Sequence, residues 1–272
     1  MGAEAMSIKQ TFLKQHSLKG ELVVDQHLHC GLPGSFLTRG ADFSTVEGEL
    51  ERLGVRAGIV SDINAHDDPK AGNDRVQAIA EASGGRIFGA IFLSANDPQG
   101  FESEIEKRVS SGWFTSFKMH PSWAGRDVDD PFYKGVYRIA GELGWPVLVH
   151  TWGCRDIGLM ERLAREFPAT VFLVGHCGGE LDASLRAGEL AREYENFYLD
   201  FTCSWGYANL PEYLVRTCGA SKILYGSDAL WNSMTASLGR IIFADISDED
   251  KRLILGGNAA RLFPKLHGIR SL

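Results

Sequence analysis

Eight short apolar runs, separated by longer amphipathic stretches, constrain this chain more than any other feature. They cover residues 21–27, 55–61, 86–93, 115–119, 146–150, 170–176, 197–201 and 222–228. Val, Ile, Phe and Leu dominate them, and most lack the alternation of a half-exposed strand. Strands covered on both faces read this way, as in parallel sheets. Helical patterns fill the gaps at 45–53, 73–82, 101–110, 131–143, 158–167, 180–195 and 210–217. Gly54, Gly84-Gly85, Gly112, Gly144 and Gly219 stand where helix C-termini should fall, and Pro131 suits a first helical turn.

Eight strand–helix alternations predict an α/β protein with a (β/α)8 TIM barrel. A doubly wound open sheet is the alternative. It would gather its site at one or two switch points, whereas polar residues here close at least five different runs. The 272 residues suffice for a large core. They read as one barrel domain spanning 1–272, with a short N-terminal extension and a C-terminal helical tail. In that tail, helices at 248–255 and 259–263 flank Gly256-Gly257-Asn258 and are expected to pack outside the barrel.

The polar residues that close the runs carry the chemistry. His27 and His29 follow Val23-Val24-Asp25-Gln26, and residues at i and i+2 of a strand point the same way. His120, His150, His176 and Asp228 end later runs. A (β/α)8 barrel brings the C-terminal ends of all strands to one mouth, so these distant side chains are expected to converge. Several imidazoles with one carboxylate suit Zn²⁺ first, and then Mn²⁺, Fe²⁺ or Co²⁺. Such a metal activates water. Asp228 is the candidate for metal ligation and proton transfer, and His176 for steadying the water or an oxyanion.

In their order and spacing these motifs resemble the amidohydrolase superfamily, in particular the branch of aminocarboxymuconate semialdehyde decarboxylase and related lactonases. The residues concerned are Asp25-x-His27-x-His29, Phe117-Lys118-Met119-His120-Pro121, Pro146-Val147-Leu148-Val149-His150-Thr151, Gly175-His176, Tyr225-Gly226-Ser227-Asp228 and the tail 254–263. The resemblance implies a single divalent metal held by His27, His29, His150 and Asp228, with His176 as a catalytic histidine beside it. It also implies either hydrolysis or non-oxidative decarboxylation. Some relatives carboxylate a fourth-strand lysine to bridge two metals, a role open to Lys118.

Around this centre, Lys118 and His120 share one face of the fourth strand and are candidate substrate-binding groups. Trp123, Trp152, Trp205 and Trp231, with Tyr207, fall in post-strand loops and can wall a pocket for a flat or apolar substrate. Arg39, Arg126 and Arg155 are candidates to clamp a carboxylate. Asp62, Asn64 and Asp200 are candidates to hydrogen-bond the ligating histidines. Cys30, Cys154, Cys177 and Cys203 also follow strand ends, but free cysteines are commonly small buried hydrophobes.

Composition narrows the partners. The formal net charge is −7 with no Lys/Arg cluster, which argues against nucleic acid and anionic membrane. The first twenty residues hold no long apolar stretch, and the five cysteines include no C-x-x-C. The expectation is a cytoplasmic enzyme on a small-molecule substrate, able to form a homo-oligomer. Its first reading is a metal-dependent hydrolase of an ester, lactone or amide. The alternative is a decarboxylase of a small aromatic or unsaturated acid. A metal-binding protein without catalysis is the third reading, and the intact ligand set argues against it.

Overall fold

The computed structural model describes residues 6–31, 43–202, 206–229 and 231–269. Eight strands lie in sequence order in one sheet, and every adjacent pair is parallel. They are β1 (Val24–Cys30), β2 (Ala57–Asp62), β3 (Ile87–Phe92), β4 (Phe114–Met119), β5 (Val147–Val149), β6 (Phe172–Val174), β7 (Phe197–Asp200) and β8 (Ile223–Leu224). The sheet closes on itself. Backbone bonds run from Gln26 N to Tyr225 O, from Asp228 N to His27 O and from His29 N to Ala229 O. Leu28 also bridges Ala229 in the parallel sense. This is the (β/α)8 barrel that the alternation predicts.

The helices are α1 (Ile8–Gln15), α2 (Phe43–Leu53), α3 (Pro69–Ala82), α4 (Phe101–Ser111), α5 (Pro131–Leu143), α6 (Gly153–Glu166), α7 (Leu181–Glu193), α8 (Leu210–Cys218), α9 (Met234–Ile242), α10 (Asp248–Arg252) and α11 (Asn258–Leu262). Their boundaries follow local chemistry. In α5 the Asp130 side chain accepts from Phe132 N, Pro131 opens the first turn, and Gly144 takes the left-handed conformation at the end. Asp68 caps α3 through Ala71 N, so that helix starts at Pro69 rather than 73. Two helices go beyond the sequence expectation. A Ser7–Gln10 capping box starts α1. Ser233 caps α9, which buries Met234, Leu238, Ile241 and Ile242 at helical spacing.

Two apolar layers fill the molecule. The larger lies between the sheet and its surrounding helices. The smaller is the barrel's own interior, in which Val24, Ile59, Leu148, Leu173 and Leu224 meet Ala259, Phe263 and Leu266. The tail therefore does not pack outside the barrel, as the sequence suggested; it seals the floor. Asn258 Nδ2 donates to the carbonyls of Ala220 and Ile223, just before and at the start of β8. Lys265 N donates to Thr115 Oγ1 near the start of β4. A Cβ on Gly256 would stand 2.2 Å from Leu22 O, so only glycine lets the tail turn in beneath β1. Among the described residues, no helix is long and apolar enough to cross a membrane.

Candidate metal and active centre

The open end of the barrel gathers most of the residues singled out from the sequence. In β1 the histidines lie within the strand rather than after it, and the strand carries a bulge. Asp25 pairs with Gly58 and Leu28 with Val60, so β1 spends one residue more than β2 over this step. The bulge lets two consecutive side chains reach the same acceptor: Gln26 Nε2 bonds Asp200 Oδ1, and His27 Nδ1 lies 2.8 Å from Asp200 Oδ2. Three residues here hold the left-handed conformation without being glycine, namely His176 (φ 58°), Cys177 (φ 50°) and Asp228 (φ 59°). Such backbone costs on the order of 1 kcal/mol or more per residue. Gly226 is a packing requirement, because a Cβ there would meet Thr202 Oγ1 at 2.2 Å and His27 Cβ at 2.7 Å.

Hydrogen-bond partners set the tautomers. His27 donates from Nδ1 to Asp200, which leaves a lone pair on Nε2. His29 Nδ1 meets Ser61 Oγ at 3.1 Å, which turns its Nε2 inward. His29 Nε2 lies 3.2 Å from His27 Nε2 and 3.0 Å from Asp228 Oδ1, and His27 Nε2 lies 3.7 Å from Asp228 Oδ1. Asp228 Oδ2 accepts from Asn232 Nδ2 at 2.9 Å. Oδ1 is buried and makes no hydrogen bond of its own, although it faces both imidazoles.

Two nitrogens and one oxygen thus form a triangle with edges of 3.0, 3.2 and 3.7 Å. A tetrahedral ion with bonds of about 2.0–2.1 Å has ligand-to-ligand edges of about 3.3–3.4 Å. The three residues therefore fit one face of a divalent metal site. His150 stands apart from that face. Its Nδ1 pairs with His176 Nε2 at 3.1 Å, and the His176 ring lies between it and His27, with ring centroids 4.8 Å and 5.2 Å away. His176 Nδ1 donates to Thr202 O at 2.6 Å. Its Nε2 then accepts from His150 Nδ1, which leaves the His150 Nε2 lone pair unused.

Burial lowers the pKa of His27 and His29, and drives those of His120 and His150 well below the ordinary value, so these rings are neutral at pH 7. Burial also raises Asp200, against the pull of His176 and Thr202. For Asp228 burial acts upward too, but the close approach of His29 Nε2 and its other histidine neighbours outweigh it. The carboxyl stays ionised, below the usual carboxylate range. Lys118 is wholly buried; burial brings it down to about 8, opposed by Asp228 and Asp200. It remains cationic at neutral pH, with Nζ 2.8 Å from His27 Nε2.

The substrate candidates divide. His120 stacks on Trp123 with centroids 3.7 Å apart and on His150 at 3.8 Å, and His150 in turn lies parallel to Trp152 at 6.2 Å. Trp231 packs against both His29 and Trp123. These rings form a wall beside the histidines, and Trp123 and Trp152 stay more than a third exposed. Arg126 and Arg155 do not join them. Arg155 sits in the first turn of α6 rather than in a loop, and both its guanidinium ends are held by Asp127 at 2.5 and 2.7 Å. Arg126 is half exposed and 3.8 Å from Asp130. Trp205, Arg39 and Cys203 lie outside the described residues.

Asp62 is also redirected, because Arg75 holds it in a bidentate pair and it caps the turn after β2. The groups that orient the first-strand histidines are Asp200, as the sequence allowed, and Ser61, which sequence reasoning missed. Ser61 pairs with His29 across β1 and β2 in register, a relation that no local pattern carries.

With this geometry in place, likeness to other proteins adds a family. A model of the amidohydrolase family matches residues 25–265. The chain belongs to that family. No curated protein matches the sequence closely enough to count as a relative. Solved structures share the amidohydrolase barrel at low identity. A 2,6-dihydroxybenzoate decarboxylase from Rhizobium aligns with TM-score 0.70 at 16% identity, covering 90% of this chain and 98% of its own. A 5-carboxyvanillate decarboxylase from Novosphingobium aromaticivorans, complexed with manganese and 4-hydroxy-3-methoxy-5-nitrobenzoic acid, aligns at 0.67 and 14%, covering 89% and 96%. A probable 2-pyrone-4,6-dicarboxylic acid hydrolase from Acinetobacter baumannii aligns at 0.65 and 11%, covering 88% and 98%.

Proposed function

We propose that this amidohydrolase is a metal-dependent hydrolase of a small ester, lactone or amide. The observation that carries the reading is the triangle of His27 Nε2, His29 Nε2 and Asp228 Oδ1, whose edges match a metal face. A divalent ion, Zn²⁺ by its ligand preference, would supply charge for a substrate carbonyl and a more acidic water. His27 and His29 would hold it, each oriented by a fixed partner, Asp200 or Ser61. His150 is the proposed fourth ligand through its free Nε2.

The protein's own groups do the rest. Asp228 Oδ2 accepts only from Asn232 and keeps a second lone pair, which takes a proton from the attacking water and returns it to the leaving group. His176 is locked by Thr202 O and is the proposed group that steadies the developing oxyanion, once its Nε2 is released from His150 and carries a proton. The Trp123–His120 stack and Trp231 present flat faces to an unsaturated or aromatic substrate.

Non-oxidative decarboxylation is the second reading, favoured by that aromatic wall beside a buried Lys118 and by the decarboxylases among the structural neighbours. The test runs metal-loaded protein on a panel of lactones, amides and aromatic acids in ¹⁸O-labelled water. The hydrolase reading expects ¹⁸O in the product acid and no gas. Carbon dioxide without ¹⁸O uptake would hand the site to the second reading.

A further inference from the structure

Lys118 projects from β4 into the barrel, and its ammonium lies 2.8 Å from His27 Nε2. That nitrogen is also one corner of the metal face. Because Nδ1–H is committed to Asp200, Nε2 has a single lone pair, which serves one partner at a time. An ammonium has three donors and no acceptor, so it cannot share that lone pair with an ion. Charge points the same way. The buried carboxylates facing Lys118 are Asp228 and Asp200. A divalent ion added beside an unmoved ammonium would set three positive charges against their two negative ones. The ring stack has no part in this conflict, since its neutral imidazoles neither add nor remove charge.

We propose that Lys118 is a built-in competitor for the metal site: its ammonium occupies the cation's place at His27 Nε2 and swings off when a divalent ion binds. The inference rests on the metal reading above and adds that affinity is set from within the chain. It differs from a lysine that contributes a ligand, because the two roles move affinity in opposite directions.

Isothermal titration calorimetry of Zn²⁺ or Mn²⁺ into the metal-stripped full-length protein decides between them, with Lys118→Met, Lys118→Gln and Asp228→Asn alongside. Met preserves the side chain's length and flexibility without charge, and Gln keeps a donor without charge. Thermal melts identify which variants are folded, and if Met disturbs the core, Gln carries the test. The expected result is stoichiometric binding that tightens about tenfold or more in both lysine variants, the scale of one charge-assisted hydrogen bond relieved, and weakens in Asp228→Asn. Equal affinity in wild type and lysine variants overturns the competitor while leaving the metal site standing. Loss of metal on removing Lys118 overturns it too, and makes Lys118 a supplier of a ligand. No stoichiometric binding in any folded form removes the metal reading itself, and the competitor with it.

Discussion

At the open end of the barrel, His27, His29, His176 and Asp228 sit in a buried polar cluster on bulged and left-handed backbone. At the floor, Ala259, Phe263 and Leu266 close the same cylinder with apolar side chains. Both ends are dry. The open end spends free energy to hold desolvated polar groups in one arrangement, while the floor gains it by hiding apolar surface. Changes at the mouth should therefore cost function and spare the fold. Changes at the floor should do the reverse.

The largest separation is expected from Asp228→Asn. It removes the one carboxylate of the metal face, and the lost charge stabilisation should lower kcat/KM by on the order of 10³-fold. Metal content measured by mass spectrometry should fall with it. The melting temperature of the metal-free protein should fall only modestly: the lowered pKa means that the ionised carboxylate supports the fold, while the isosteric amide keeps the packing. A fall of more than about 10 °C instead would mean that this end also holds the fold together. The mirror experiment is Phe263→Ala. Truncating a buried phenylalanine costs about 3–5 kcal/mol, or on the order of 10 °C in a domain of this size. Turnover per folded molecule and metal stoichiometry should stay at the wild-type level.

Asp25 sharpens the comparison because it belongs to both ends of the argument. It is buried where β1 meets β8, and its Oδ1 accepts from the backbone N–H of His27 and of Ser227. It thus ties the strand carrying His27 and His29 to the segment carrying Asp228. Burial raises its pKa from 3.8 to about 7, against those hydrogen bonds. Between these two values the native protein keeps a proton that the unfolded chain has released. Stability should therefore be full below about pH 4 and decline as pH rises towards 7, by roughly 1–4 kcal/mol from this group. Chemical denaturation of Asp25→Asn and wild type across that range measures it. The difference between the two should change with pH in this direction, and parallel curves would show that Asp25 titrates normally.

The sequence carried the architecture because the strands and most of the helices announce themselves locally. The apolar runs mark strands buried on both faces, and Asp130-Pro131 with Gly144 brackets a helix. It also carried the convergence at the mouth, since a closed parallel barrel leaves strand-end side chains nowhere else to go. What it could not carry depends on register and depth. Strict alternation puts Gln26 and His27 on opposite faces, and only the bulge sends both to Asp200. Lys118 reads as inward-facing, but the reach of its ammonium to His27 is a matter of barrel width. His150 reads as a ligand, but no pattern shows that its Nδ1 pairs with His176 and so leaves Nε2 for that role. The tail's apolar residues fit an outer helix layer or the floor equally well by pattern, because either location buries one helical face. Asn258 decides it through carbonyls of Ala220 and Ile223, which no motif links to it in advance.

The smallest effect is expected at the outer rim, where the sequence offered arginines as a carboxylate clamp. A clamp needs a guanidinium with free donors aimed inward, and Arg155 has neither. Asp127 takes both of its ends in a pair that is exposed on both sides. Exposed pairs of this kind add little to stability because solvent screens them, so Arg155→Ala should leave the melting temperature almost unchanged. KM for an acidic substrate should stay within about twofold of wild type. A tenfold rise in KM for Arg155→Ala would show that Asp127 releases the guanidinium when substrate arrives. The boundary between the functional end and the passive surface would then lie farther out than the rings of Trp123 and Trp152.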